Sequence, residues 1–377
     1  MTKDELLSKT ISFLRFPLTV GVVFIHFSLH KGFEVHGVTH GLGNPDWFFY
    51  IVNLISQVLA RVCVPLFFII SGYLFFYHCD FNSQVYKKKL KSRAKTLLVP
   101  YILWNIIAIL WQMKFMIPAV AQFYRPVEMD LSFQRIINTF FCTTDNQGIF
   151  VGPIPTEFDP ETYPIDGPLW YIRDLMLLVI ISPLIHWLVN KIKILLPVIL
   201  GAAWLASPVL FPHGGYLGML VTASFFFSWG AYMSITKTNF VLAFRRFKYL
   251  PLLYFVIALL DAYVRLKAPN MYLHRAGVII GVVSAVVVAS YLIEKNKVKV
   301  SQTLANCSFI IFASHGIYIG DVGKLLFTML HIPENNPYCM LALYLFVPAF
   351  CVMLGIALYL LLKKYAPTVL KLLNGGR

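Results

Sequence analysis

Residues 11–30 read ISFLRFPLTVGVVFIHFSLH, and this stretch decides the class of fold. Its length and apolar character match the roughly 20 residues with which an α-helix crosses a bilayer. It also carries Arg15 and His26, which are costly inside a membrane and therefore indicate a functional site. Because eleven residues of helix end about 20° past three full turns, both side chains lie on one face, about 16 Å apart along the axis.

The rest of the chain is equally apolar. Of its 377 residues, 58% are hydrophobic and 13% are charged, whereas a soluble domain carries about 25% charged residues. We therefore expect an all-α polytopic membrane protein that forms a single domain over residues 1–377. The length criterion predicts about ten transmembrane helices, at residues 11–30, 57–77, 95–118, 167–190, 194–211, 217–236, 249–266, 276–294, 303–322 and 340–362.

Topology accounts for the net charge of +15. Lysine and arginine gather in alternate loops, and the positive-inside rule then places both termini in the cytoplasm. The longest extracytoplasmic loop, at about 120–166, is acidic instead. A nucleic-acid partner is therefore not required, and membrane lipid is the expected environment. The six cysteines lack the spacing of a metal site, so no metal is predicted. The first span lacks the cleavage site of a removed signal peptide.

Several titratable residues are predicted to lie at one depth, in the outer half of the membrane. They come from four different spans: His26, Arg61, Arg173, Asp174 and His315. Each alone has a structural explanation, such as a snorkelling arginine, an interfacial ion pair or an interhelical hydrogen bond. Together they predict a polar cavity among the helices.

The segment at residues 86–101, YKKKLKSRAKTLLVPY, carries a second concentration of charge. One interpretation is a topogenic cluster that also contacts anionic lipid. The other is a phosphate clamp, because cationic side chains gather where a helix begins. A phosphate-rich cytoplasmic cosubstrate would then contact this cluster and Arg15.

Five stretches resemble successive motifs of the acyltransferase-3 family of integral membrane O-acyltransferases. In chain order they are ISFLRFPLTVGVVFIHFS (11–28), RVCVPLFFIISGYLFF (61–76), KSRAKTLLVPYILWN (91–105), GPLWYIRDLMLLVIISPL (167–184) and SFIIFASHGIYIG (308–320). The resemblance implies a multi-pass enzyme of the bacterial inner membrane. It implies transfer of an acyl group, with acetyl expected, from cytoplasmic acyl-CoA to a hydroxyl of a cell-surface or lipid-linked glycan, without a bound cofactor.

The resemblance also implies roles for particular residues. His26 and Arg15 match the histidine and arginine that the family requires in its first span. Arg93 matches one basic residue of the third span, but Thr96 stands where a second arginine is common. The nearby lysines Lys91 and Lys95 are the candidates for that missing partner in binding acyl-CoA.

A mechanism follows for transfer from a thioester to a hydroxyl. His26 is the expected general base, because a neutral imidazole accepts a proton near pH 7. His315 is the second catalytic candidate, and whether the acyl group passes directly or through an acyl-enzyme stays open. The polar residues Arg61, Arg173 and Asp174 either bind the acceptor or form a structural layer.

Trp170 is either a sugar-stacking platform or part of an interfacial aromatic belt.

Two other classes of function remain. The first is a transporter or flippase for a glycan or small anion, which would use the buried arginines to bind its substrate without chemistry. No pair of interrupted spans indicates the inverted repeats that many transporters have. The second is a membrane sensor or assembly partner, which would leave the shared depth of His26 and His315 unexplained.

Overall fold

The computed structural model describes residues 1–35, 38–117, 128–141, 149–151, 163–211 and 215–376. The described residues are mostly helical, as predicted. The helices are α1 (Lys3–His26), α2 (Asp46–Val52), α3 (Cys63–Phe76), α4 (Ser83–Arg93), α5 (Val99–Gln112), α6 (Phe133–Phe141), α7 (Trp170–Ile180), α8 (Ser182–Ile192), α9 (Leu195–Leu210), α10 (Gly215–Ile235), α11 (Phe240–Arg245), α12 (Leu250–Val264), α13 (Met271–Glu294), α14 (Gln302–Met329), α15 (Pro337–Tyr365) and α16 (Pro367–Leu373).

Shorter elements connect or extend these helices. Two hairpins are antiparallel: β1 (Phe33–Val35) pairs with β2 (Val38–His40), and β3 (Glu128–Met129) with β4 (Phe150–Val151). A π-helical turn at Asn53–Leu59 follows α2 and leads toward α3. A second π-helical turn, at Ala94–Leu98, joins α4 to α5. Single 3-10 turns occupy Ala60–Val62, Met113–Met116 and Gly167–Leu169. Most of the predicted loop at 120–166 lies outside the described residues.

The membrane-crossing character of the chain is confirmed. Among the described residues, seven helical segments are long and apolar enough to cross a membrane. An eighth crossing results if the helices Gly167–Ile180 and Ser182–Ile192, which meet at 64°, form one bent span. The predicted spans at 194–211 and 249–266 correspond to α9 and α12, which have 16 and 15 residues. Among the residues that the structure describes, the full-length spans are therefore fewer than the ten predicted.

The bundle has two ends, which we name by their chemistry. The basic end holds the start of α1 and the end of α13, where the Arg245 guanidinium pairs with the Glu294 carboxylate. The loop end holds the β1–β2 hairpin. There His40 Nδ1 lies 2.7 Å from Glu334 Oε2, in the loop between α14 and α15. The α1 helix runs from the basic end to the loop end.

The α3 and α10 helices cross with their backbones in direct contact. A Cβ atom at Gly72 would overlap the carbonyl oxygen of Phe227, and one at Gly230 would overlap that of Ile69. Small residues permit this approach, which is a common way for membrane helices to associate without a hydrophobic driving force. The crossing fixes α3 beside the cavity described below.

The α1 helix lies at the centre of the bundle. It packs against α3, α13, α14 and α15. A capping box starts it: the Thr2 hydroxyl accepts from the Glu5 amide at 3.1 Å, and the Glu5 carboxylate accepts from the Thr2 amide at 2.8 Å. The helix continues past Pro17 to His26. One unbroken face of α1 can therefore contribute to a site at each end.

Candidate active site

His26 and His315 meet at the loop end of α1. Their ring centroids are 5.2 Å apart, in an edge-to-face arrangement with 61° between the planes. The two residues come from α1 and α14, which pack along much of their length. The sequence predicted that these histidines share a depth, and the structure brings them into contact.

Hydrogen bonding determines the tautomer of a neutral His315. Its Nδ1 lies 3.0 Å from the Ile311 carbonyl oxygen, which can only accept, so Nδ1 carries the hydrogen. Nε2 is then an acceptor; it is buried and has no hydrogen-bond partner among the described residues. The His26 ring lies 5.2 Å away between centroids, so Nε2 is available to accept an N–H from His26 once the two rings approach.

The two histidines differ in accessibility. His315 is completely buried. His26 is surrounded by protein atoms on all sides, yet its side chain is exposed. It therefore faces an internal space that water can enter. A group that exchanges protons with a substrate requires such access.

Arg61 adds a cation to the same space. It lies within electrostatic range of His26 and its side chain is also exposed. The Arg61 guanidinium donates to Gln57 Oε1 at 2.7 Å. The Gln57 amide nitrogen lies 3.1 Å from Ser28 Oγ and 3.2 Å from His30 Nδ1, beyond the end of α1. Gln57 belongs to a π-helical turn, a geometry that often occurs at functional sites.

A second cavity lies toward the basic end, with a volume of about 170 Å³. Arg15 of α1 and Arg93 of α4 both line it. Its other polar lining groups are hydroxyls and one amide, on Ser71, Tyr171, Ser308, Thr19 and Asn306. The Ser71 and Tyr171 hydroxyl oxygens are 2.8 Å apart. Aliphatic and aromatic side chains complete the walls, so the cavity combines two cations with an apolar interior.

The predicted basic partners of Arg93 lie elsewhere. Lys91 and Lys95 are exposed on the surface of the bundle, and the cavity lining does not include them. Arg93 is followed directly by the π-helical turn Ala94–Leu98, which changes the direction of the side chains around it. The second cation in the cavity is Arg15 rather than a lysine of the same segment.

The cavity and the histidine pair lie in line along two helices. Thr19 lines the cavity and stands seven residues before His26, which is about 10 Å on α1. Phe312 lines it one turn before His315 on α14, with a ring-centroid distance of 6.3 Å. The arginine-lined cavity and the histidine pair therefore lie along the same parts of α1 and α14.

Arg173 and Asp174 form a separate structure. Arg173 Nε lies 3.0 Å from Asp174 Oδ1, and both side chains are buried. The Arg173 guanidinium also donates to the Phe141 carbonyl at 2.9 Å and lies 4.6 Å from the Tyr216 ring. These contacts run to α6 and α10, so the predicted single layer divides into a histidine site and an ion pair.

Trp170 packs against Phe68 and Tyr163, with ring centroids 6.1 and 6.5 Å away. The neighbouring Tyr171, not Trp170, reaches the cavity. These contacts place Trp170 among other aromatic side chains. They do not bring it into the histidine pair.

Asp166 is a buried carboxyl group that the sequence did not single out. Both carboxyl oxygens lack a hydrogen-bond partner among the described residues. Burial raises the pKa of Asp166 well above its ordinary value. The carboxyl lies beside Gly316 of α14, since a Cβ at Gly316 would be 2.8 Å from Asp166 Oδ1.

The described residues contain no group of three or more histidine, cysteine, aspartate or glutamate side chains that could hold a metal ion.

Comparisons with known proteins agree with the motifs. The family model of an acyltransferase domain matches residues 9–362. The chain is similar to the succinoglycan biosynthesis protein ExoH of Rhizobium meliloti (strain 1021), with 26% identity over 383 aligned positions. That alignment covers 99% of this chain and 94% of ExoH. No solved structure matches the chain.

Proposed function

Because this chain belongs to the acyltransferase-3 family, whose domain spans nearly all of it, we propose that it transfers an acyl group from acyl-CoA to a hydroxyl of a cell-surface or lipid-linked glycan. Acetyl is the acyl group we propose. The observation that carries this proposal is the alignment of the arginine-lined cavity with His26 along one face of α1. We propose that residues 1–377 act as one catalytic unit.

The cavity at the basic end is the proposed donor site. Arg15 and Arg93 supply charge-assisted hydrogen bonds of the kind that bind phosphate groups. The apolar walls suit the extended thiol-bearing arm of coenzyme A. About 16 Å of helix separate Arg15 from His26, so the phosphates and the thioester would occupy opposite ends of one path.

The chemistry centres on His26. Its neutral imidazole takes the proton of the acceptor hydroxyl while that oxygen attacks the thioester carbonyl carbon. The carbon–sulfur bond then breaks, and the departing sulfur receives the proton from His26. Arg61, within electrostatic range of His26, stabilises the negative oxygen of the tetrahedral intermediate. His315 orients His26 through its Nε2 lone pair.

The acceptor reaches His26 from the loop end. Exposure of His26 and Arg61 at that end supports an aqueous approach to the base. The name of the similar ExoH protein, which refers to succinoglycan biosynthesis, supports a glycan as acceptor. The lysines and arginines of the basic end support a cytoplasmic position for that end, and with it for both termini. We place the protein itself in the inner membrane of a bacterium.

The test is release of free coenzyme A by the purified, full-length protein in detergent. We expect slow release from acetyl-CoA without acceptor, faster release when membrane extract containing glycan is added, and transfer of the label from acetyl-CoA to glycan. Failure to cleave any acyl-CoA in a panel of chain lengths would contradict the proposal. Saturable movement of glycan across proteoliposomes without cleavage would favour a transporter.

A further inference from the structure

Among the described residues, five basic side chains cluster near His26 at the loop end, and acyl transfer as proposed above uses one of them, Arg61. We name the group the cationic cleft; its members are His30, Lys31, Arg61, Arg265 and His274.

Electrostatic contacts show that these residues form one cluster. His30 lies within electrostatic range of Arg61, Lys31 and Arg265. His274 lies within range of Arg61 and Arg265. The residues come from α13, the end of α1, the turn before α3 and the end of α12. The chain therefore brings four separate segments together at this point.

The cluster carries an excess of positive charge. Asp261 is the one carboxylate among the described residues in electrostatic contact with His30 or His274. Its Oδ1 lies 3.1 Å from Arg265 Nε, and its Oδ2 lies 2.8 Å from His274 Nδ1. Among the described residues, two permanent cations besides Arg61, namely Lys31 and Arg265, thus face one carboxylate.

Arg61 indicates that the cluster borders water rather than lipid. It stands at the middle of the apolar helical segment Asp46–Phe76, and its side chain is exposed. An arginine that faced the lipid at this depth would be costly. The guanidinium instead contacts the buried Gln57 and approaches His26, so the space it borders leads inward to the base.

We propose that the cationic cleft binds an anionic group, a phosphate or a carboxylate, on the acceptor glycan, and so selects acidic over neutral acceptors. This inference rests on the proposed function, since Arg61 of the cleft lies within electrostatic range of His26, the proposed base. Arg265 holds the anion, and Asp261 orients Arg265 between α12 and α13. A low-dielectric wall strengthens the attraction.

Thermal unfolding of the purified full-length protein tests the cleft directly. The protein is first saturated with coenzyme A, so that the donor cavity is occupied. It is then titrated with inorganic diphosphate, with glucuronate or with glucose, all at equal ionic strength. We expect diphosphate, glucuronate or both to raise the melting temperature of the wild type, and glucose to leave it unchanged. Arg265→Gln should weaken the anion's apparent affinity roughly tenfold.

Arg275→Gln is the matched control. Arg275 follows His274 on α13 but points away, with its guanidinium 4.9 Å from the Trp204 ring and 3.0 Å from Ser207 Oγ. Its variant should keep the anion response, and both variants should keep the shift produced by coenzyme A, which shows that they are folded. A response to diphosphate alone identifies a phosphate-bearing acceptor, and one to glucuronate alone identifies an acidic sugar.

Absence of any anion response in the wild type would overturn the inference, as would an equal response in wild type and Arg265→Gln. Neither result depends on thioester cleavage. Failure of the cleft and failure of the proposed acyl transfer are therefore distinguishable.

Discussion

The proposed donor cavity at the basic end and the proposed cationic cleft at the loop end each contain two arginines, yet their surroundings differ. Arg15 and Arg93 stand among apolar walls, and none of the described residues that line their cavity is a carboxylate. In the cleft, Asp261 holds Arg265 and His274 in place, and Gln57 holds Arg61. The first arrangement suits several phosphates with an apolar arm. The second suits a hydroxyl-rich molecule that carries an anion.

The histidine pair lies between these two regions. Exposure of His26 together with burial of His315 means that only one of the two can meet a substrate directly. The difference between the regions therefore separates three properties that experiments can measure one at a time: donor binding, proton transfer and acceptor selection.

The largest effect is expected at the point where the two regions meet. His26→Ala should lower the rate of glycan acylation by on the order of 10²-fold or more, because it removes the general base. Coenzyme A affinity, measured by calorimetry, should stay near the wild-type value. If a well-expressed His26→Ala variant acylates glycan fully in a complemented deletion strain, His26 is not the general base.

Donor-side variants should give the opposite profile. Arg93→Gln and Arg15→Gln should each weaken coenzyme A binding roughly tenfold, because each removes charge-assisted hydrogen bonds to phosphate. Lys91→Gln and Lys95→Gln are matched controls, since both lysines are exposed and neither lines the cavity. Calorimetric titration with coenzyme A measures the difference. Equal coenzyme A affinities in all four variants would mean that these charges serve only to set the membrane topology.

His315→Ala should have a smaller effect than His26→Ala. We propose that His315 Nε2 orients His26 during turnover, and loss of that one hydrogen bond predicts roughly a fivefold to tenfold lower rate of acyl transfer. Since His315 Nε2 acts as an acceptor, His315→Gln with its amide oxygen should recover part of the rate. A loss as large as that of His26→Ala would make His315 a direct participant in proton transfer.

Asp166 should affect how the stability of the folded protein depends on pH, rather than the rate of acyl transfer. Its pKa is raised by burial in the folded protein, whereas an unfolded aspartate ionises near pH 4. The folded state therefore binds the proton more tightly, and this contribution to stability is lost as pH rises above about 4. Asp166→Asn keeps a neutral group, so its melting temperature should fall less between about pH 5 and pH 8. An unchanged slope would contradict this assignment.

The sequence predicted the helical membrane fold and much of the histidine site. Periodicity places Arg15 and His26 on one face of α1, and α1 runs unbroken through both. Depth along each span is also predictable from residue spacing, which is why His26 and His315 were expected at one level. Both predictions depend only on helix geometry within a single segment.

Position around the bundle axis is not predictable in the same way. Arg173 stands two residues, or about 200°, from Tyr171 on α7. Tyr171 faces the donor cavity, so Arg173 faces α6 and α10 instead. Which face of α7 meets α1 depends on tertiary packing.

Neutral polar groups gave no signal in the sequence. Ser71 and Asn306 become lining groups only because the helices enclose a cavity.

Asp166 precedes its span by one residue, where an acidic side chain looks like an ordinary loop residue. Its importance comes from burial beside Gly316.

We propose that donor and acceptor reach His26 from opposite ends of α1. Labelled acetyl-CoA can be added outside sealed membrane vesicles, either inverted or right-side-out, that contain the same amount of protein and glycan. We expect glycan labelling in inverted vesicles, where the basic end faces the added donor, and none in intact right-side-out vesicles or with His26→Ala. Equal labelling in both orientations by the wild type would contradict it.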